Sequence, residues 1–204
     1  MKFGEGEYVG LVEIFGQPEL IKHLEMGGRC YDHLISIGNP RGTFGCRYPG
    51  QSMPRLLRKA FRKYLRLAFF DAEGVDQLST AQPKRIATRR DVRKAIAFYQ
   101  ETKDEANGYT LHCWSGVSRS AAVALGLLFV MTGSEQEAKA ALHKARPQAL
   151  PLKLIVKLFD AELGSNLAAV NELVWAERVA QWKEELDLQE DMLLEELPSP
   201  DEAR

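Results

Sequence analysis

The 204-residue chain is 45% apolar and 27% charged, a balance that supports a packed core and excludes a wholly disordered polymer. Lys and Arg total 27 against 28 Asp and Glu, a formal net charge of −1, so a polyanion such as nucleic acid is not an expected partner. The three cysteines, Cys30, Cys46 and Cys113, are too few for a disulfide scaffold and fit plain thiols in a reducing cytoplasm.

Residues 1–7 carry no apolar run beside Lys2, so no secretory leader is expected. Short apolar runs then alternate with helical patterns. A strand is predicted over 8–15, a helix over 18–25 and a turn at Gly27-Gly28. The next strand covers 33–37 and ends at the turn Gly38-Asn39-Pro40. A helix over 54–64 leads into a strand over 65–70, and a helix follows over 88–102. Asn107-Gly108 turns the chain into a strand over 109–113, with helices over 119–132, 135–145 and 152–163. Strands separated by helices argue for an α/β fold, a central, mostly parallel sheet of about four to five strands flanked by helices. Residues 121–131 are nearly all apolar, so that helix belongs in the middle of the domain. The longest run free of charge and proline, 120–134, falls short of the roughly 20 residues that span a bilayer.

The near-zero net charge hides an asymmetry. Residues 55–94 hold twelve Lys or Arg against four Asp or Glu, whereas 184–204 hold nine acidic residues and one basic. Solvated helix faces and a soluble tail account for both, although the basic cluster could also recruit an acidic lipid or an RNA 5′ end. The pattern changes after Gly164, which divides the chain into a domain over 1–164 and a helical, acidic extension over 165–204. There Leu167, Val170, Val174, Val179, Trp182, Leu186, Leu193 and Leu197 lie among acidic residues, up to Pro198-Ser199-Pro200. One or two amphipathic helices are expected. They pack on their own domain or offer a face for oligomerisation or a partner, and the first reading is the simpler.

The chemistry concentrates in His112-Cys113-Trp114-Ser115-Gly116-Val117-Ser118-Arg119-Ser120. A strand ends in a cysteine, a loop follows, and an arginine opens a helix. Backbone N–H groups of such a loop converge on one point, where the helix N-terminus adds partial positive charge. Arg119 can form two parallel hydrogen bonds to a phosphate, and Gly116 permits a tight turn. The same field favours a thiolate at Cys113, poised to attack what the cradle holds. Ser120 can donate a hydroxyl to that sulfur when it leaves, and His112 can fix the loop by hydrogen bonds. Neither Cys30 nor Cys46 has an arginine six residues on; Ser36 and Ser52 stand there. His23, His33, His112 and His143 lack metal-ligand spacing, so no metal and no cofactor is expected.

This segment resembles the active-site loop of the cysteine-dependent protein tyrosine phosphatases, in their dual-specificity-like subgroup. Leu65 to Asp71 is similar to the strand that ends at the family's general acid, and Arg146-Pro147 with Pro151 is similar to bacterial members. The resemblance spans about residues 9–163 and implies hydrolysis of a phosphomonoester, on phosphotyrosine or other phosphorylated side chains, through a cysteinyl-phosphate. Cys113, Arg119, Ser120 and His112 would carry the chemistry, with the backbone of Trp114, Ser115, Gly116, Val117 and Ser118 binding phosphate. Asp71 is the preferred acid and Asp76 the alternative. The loop has no lysine, which favours a phosphorylated protein or small phosphomonoester over polyphosphorylated lipids. A phosphate-binding module without turnover, or a phosphatase of lipid or RNA phosphates, are the competing readings. Sulfur transfer is disfavoured by the arginine.

Overall fold

The computed structural model describes residues 11–40, 53–78 and 85–195, with side chains up to Leu186. Strands β1 (Val12–Gly16), β2 (His33–Gly38), β3 (Lys63–Ala68) and β4 (Tyr109–Cys113) form one parallel sheet in the order β1-β4-β2-β3. Helices α1 (Gln17–Glu25), α2 (Arg55–Ala60), α3 (Arg89–Thr102), α4 (Arg119–Thr132), α5 (Glu135–Ala145), α6 (Lys153–Leu163) and α7 (Leu167–Glu195) surround it. The α/β architecture read from the sequence is present, with four strands among the described residues.

Strand β2 shows why both faces are covered. All six of its residues are buried, as in a parallel strand with helices above and below. Its alternation sends Ile35 and Ile37 into the larger core and Leu34 into a smaller one with Leu20, Met53, Leu57 and Phe61. The larger core is built on α4, whose residues from Ala121 to Leu128 are all buried. A helix apolar on every side must be enclosed, and α3, α5 and α6 enclose it.

The predicted helix over 54–64 is shorter than expected, since α2 ends at Ala60. Tertiary pairing overrides local propensity here. Leu57 and Phe61 are buried in the smaller core, Phe61 is already extended, and Arg62 N–H donates to the Asp32 carbonyl at 2.9 Å. Strand β3 therefore starts at Lys63, opposite His33, two residues before the expected position. It also ends early, at Ala68, although Phe69 N–H still reaches the Gly38 carbonyl at 3.0 Å.

Beyond Gly164 the described residues form one helix, α7. Asp160 caps it, accepting from Leu167 N–H at 2.7 Å and Ala168 N–H at 2.8 Å. Leu167, Val170 and Asn171 are buried on the domain, while Val179, Trp182 and Leu186 are exposed. Asn171 Nδ2 at 3.3 Å and Trp175 Nε1 at 3.1 Å both donate to the Pro151 carbonyl. No helix among the described residues is long and apolar enough to cross a membrane. Residues 1–10, Cys46 and 196–204 lie outside the described residues, as does the side chain of Leu193.

Candidate active site

The carboxyl ends of the strands point at one place. Strand β4 lies between β1 and β2, and its last residue, Cys113, is in register with Gly16. In open α/β sheets this edge, where the strand order changes direction, is where ligands bind. The loop from Trp114 to Ser118 leaves Cys113 there and enters α4 at Arg119.

The scaffold holds four of the five loop carbonyls from Trp114 to Ser118. Trp114 O accepts from Gln17 N–H at 2.9 Å, Ser115 O from Arg146 Nη2 at 3.2 Å, and Val117 O from Leu150 N–H at 2.9 Å. Ser118 O accepts from Ala122 N–H at 2.9 Å and from Leu152 N–H at 3.4 Å. The N–H groups of Ser115, Val117 and Ser118 donate to no acceptor among the described residues, and they flank the N-terminus of α4. Gly116 makes the turn at φ +75°, and a Cβ there would stand 2.5 Å from Phe15 C. Backbone amides without acceptors at a helix N-terminus are an anion site in waiting.

Cys113 is fully buried at the base of this loop. Gly116 N–H and Ser120 Oγ–H each donate to its Sγ at 3.2 Å, which stabilises negative charge on sulfur. His112 is also buried, with Nδ1 3.3 Å from the Cys113 carbonyl and Nε2 unpartnered among the described residues. Burial lowers its pKa to about 4, with Arg66 and Arg119 adding to the effect and the bond to Cys113 opposing it, so His112 is neutral at pH 7. Arg119 is 5% exposed. Its Nη1 donates to Asn39 Oδ1 at 2.9 Å and to the Phe69 carbonyl at 3.0 Å, which fixes the guanidinium plane. Its Nε has no hydrogen-bond partner among the described residues.

The two candidate acids differ in placement. Asp71 Oδ1 accepts from Ser118 Oγ at 2.7 Å, and Oδ2 lies 3.6 Å from Arg119 Nε. Its carboxylate therefore sits at the mouth of the loop. Asp76 belongs to a 3₁₀ turn, Val75–Gln77, and no hydrogen bond or ion pair among the described residues joins it to the loop.

Several contributors escape sequence reasoning. Arg146 Nη1 pairs with Glu19 Oε2 at 3.0 Å while Nη2 holds Ser115 O. Burial raises the Glu19 carboxyl pKa, but Arg146 and the Gly16 N–H outweigh it, and the net direction is down. The bond from Gly16 N–H to Glu19 Oε2 at 3.0 Å, three residues on, is a local one, whereas the tie between Arg146 and Glu19 closes across 127 residues. Asn39 stands in the sequence only as a turn residue, and its bond to Arg119 spans 80 positions. Cys30 and Cys113 are free thiols, and burial, with Glu13 nearby, pushes Cys30 up to about 11. Among the described residues no group of three His, Cys, Asp or Glu gathers closely enough to hold a metal ion.

No protein-family model matches the sequence, and no curated protein matches it. Solved structures do. The chain is similar to DUSP15, with 16% identity over 81% of this chain and 90% of that one, at a TM-score of 0.51. Human DUSP28 aligns at 16% identity over 81% of this chain and 94% of that one, with a TM-score of 0.49. PTPMT1 aligns at 19% identity over 83% and 95%, also at 0.49. At such identities the likeness to DUSP15 speaks for the fold alone: a parallel sheet flanked by helices, shared with that protein.

Proposed function

We propose that this chain is a cysteine-dependent phosphomonoester hydrolase, acting on phosphotyrosine and open to phosphoserine and phosphothreonine. The observation that carries the reading is the pair of hydrogen bonds converging on Cys113 Sγ, from Gly116 N–H and Ser120 Oγ–H, beneath a loop of acceptor-free amides. A phosphate seated there has its oxygens held by those amides and by Arg119 Nε. The Cys113 thiolate attacks phosphorus, and the bond from phosphorus to the substrate oxygen breaks. Asp71, protonated, gives its proton to the departing oxygen. The resulting carboxylate takes a proton from water as that water attacks phosphorus. The P–S bond breaks, phosphate leaves, the electron pair returns to Cys113 Sγ as thiolate, and Ser120 Oγ–H donates to it. His112 is a neutral buried support for the loop. The absence of lysine among the five loop residues between Cys113 and Arg119 supports a monophosphorylated substrate.

The test is p-nitrophenyl phosphate without added metal. Wild type turns over steadily, and Cys113→Ser loses turnover while still binding vanadate. Vanadate binding without any turnover by wild type would replace the enzyme reading with that of a phosphate-binding module. Full activity in Cys113→Ser would refute the covalent route.

A further inference from the structure

Helix α6 starts without a cap of its own. Leu152, at its N-cap, offers no side-chain hydrogen bond, and its first turn contains no acidic residue. Glu73 supplies both acceptors from 80 residues earlier in the chain. Its Oε1 accepts from Lys153 N–H at 2.8 Å, and its Oε2 accepts from Leu154 N–H at 2.7 Å. A carboxylate taking two amides at a helix N-terminus gains from both the hydrogen bonds and the helix dipole.

The position of Glu73 gives this cap a second effect. It stands two residues after Asp71, and its own N–H donates to Gln77 Oε1 at 2.7 Å, so the segment 73–77 folds back on itself. The residue just before the capped amides, Leu152, donates to Ser118 O at 3.4 Å, and Ser118 Oγ donates to Asp71 at 2.7 Å. The contacts close a ring that runs from Asp71 through Glu73, the start of α6 and Ser118 back to Asp71. Without Glu73, that segment loses both of its bonds to α6, and Asp71 keeps only its contacts with Ser118 and Arg119. A phosphate on Arg119 would compete with the Asp71 contact there, whereas the bonds of Glu73 are to the Lys153 and Leu154 amides, outside the cradle.

We propose that Glu73 is a positioning residue for the acid step, holding the segment that carries Asp71 over the cradle by capping α6. The proposal rests on the reading of Asp71 as the proton donor. It predicts a defect that follows leaving-group basicity, because only poor leaving groups need the proton.

The experiment compares phenyl phosphate with 2,4-dinitrophenyl phosphate in wild type, Glu73→Ala, Glu73→Gln, Asp71→Asn and the double variant Asp71→Asn with Glu73→Ala. Vanadate inhibition serves as the check on the cradle. Glu73→Ala should lower kcat for phenyl phosphate roughly ten-fold, leave 2,4-dinitrophenyl phosphate nearly unchanged, and leave vanadate inhibition intact. Glu73→Gln keeps one acceptor oxygen, preserves the fold, and should show the same selectivity at smaller size. In the double variant the Glu73 effect should vanish, since there is no acid left to position. Equal losses on both substrates, no loss, or simple additivity with Asp71→Asn would overturn the role of Glu73. If Asp71→Asn shows no leaving-group selectivity, the acid assignment falls first and this proposal with it.

Discussion

Gly116→Ala tests the cradle at its tightest point. The residue holds φ +75°, and an added Cβ would lie 2.5 Å from Phe15 C, 2.6 Å from Gly16 N and 2.7 Å from Phe15 O. The left-handed conformation alone costs an alanine about 1–2 kcal/mol. All three close atoms belong to the backbone of β1, where Phe15 and Gly16 are paired with His112 and Cys113. No flexible side chain can swing aside, so relief requires a backbone shift of the overpacking kind, about 1–3 kcal/mol. Together these come to about 2–5 kcal/mol, which lowers Tm by roughly 4–20 °C for a chain of this size. The loop has fewer ladder partners than the strand and is the part that yields. Gly116 N–H then leaves Cys113 Sγ, and phosphate affinity drops along with turnover. The control is Gly164→Ala, where φ is +68° and no atom lies within 4 Å of the added Cβ; it should show only the conformational cost and unchanged turnover. Thermal melts combined with phosphate inhibition decide the matter. A Gly116→Ala protein melting within about 1 °C of wild type, with normal phosphate inhibition, would refute the argument.

Two further expectations follow from the same site. Ser120→Ala removes a charge-assisted hydrogen bond of about 1.5–3 kcal/mol that matters most when sulfur is the leaving group, so hydrolysis of the phosphocysteine should slow roughly ten- to a hundred-fold. Rapid mixing with p-nitrophenyl phosphate should show a burst equal to enzyme concentration, and a slow linear trace would assign Ser120 to packing alone. His112 is held at about 4 in the fold against about 6.5 in an unfolded chain, so its neutral form stabilises the fold above pH 6.5 and that contribution is lost as pH falls toward 4. The loss is of order 3 kcal/mol, and His112→Asn should flatten the pH dependence of urea midpoints in that window; an unchanged slope would contradict it.

Where local pattern and tertiary demand agreed, the sequence was legible to the residue. Strand 109–113 and helices 119–132 and 135–145 have the expected bounds, because alternation, apolar run and Ser134 cap all point the same way. The boundary between α2 and β3 was misplaced because long-range pairing, Lys63 with His33, decided it rather than propensity. The same division holds at the site. The cradle residues were visible as one contiguous motif. Glu19, Asn39, Glu73 and Arg146 act across the chain on that motif, and no spacing rule joins residues 80 or 127 positions apart. Their bonds become apparent only once the sheet edge has been assembled.

The two bonds from α7 to the Pro151 carbonyl have a consequence for how the molecule is made. Leu150 and Leu152, on either side of Pro151, hold the loop carbonyls of Val117 and Ser118, so their bracing depends on Asn171 and Trp175. A ribosome has emitted every cradle residue long before those two side chains emerge from the exit tunnel. Domains tend to fold in the order they leave the ribosome, so a nascent chain halted after Gly164 carries the whole 113–119 loop with its supporting segment unanchored. Completion of the site thereby waits on α7, and a growing polypeptide would gain its full anion grip only after Asn171 and Trp175 have docked on Pro151.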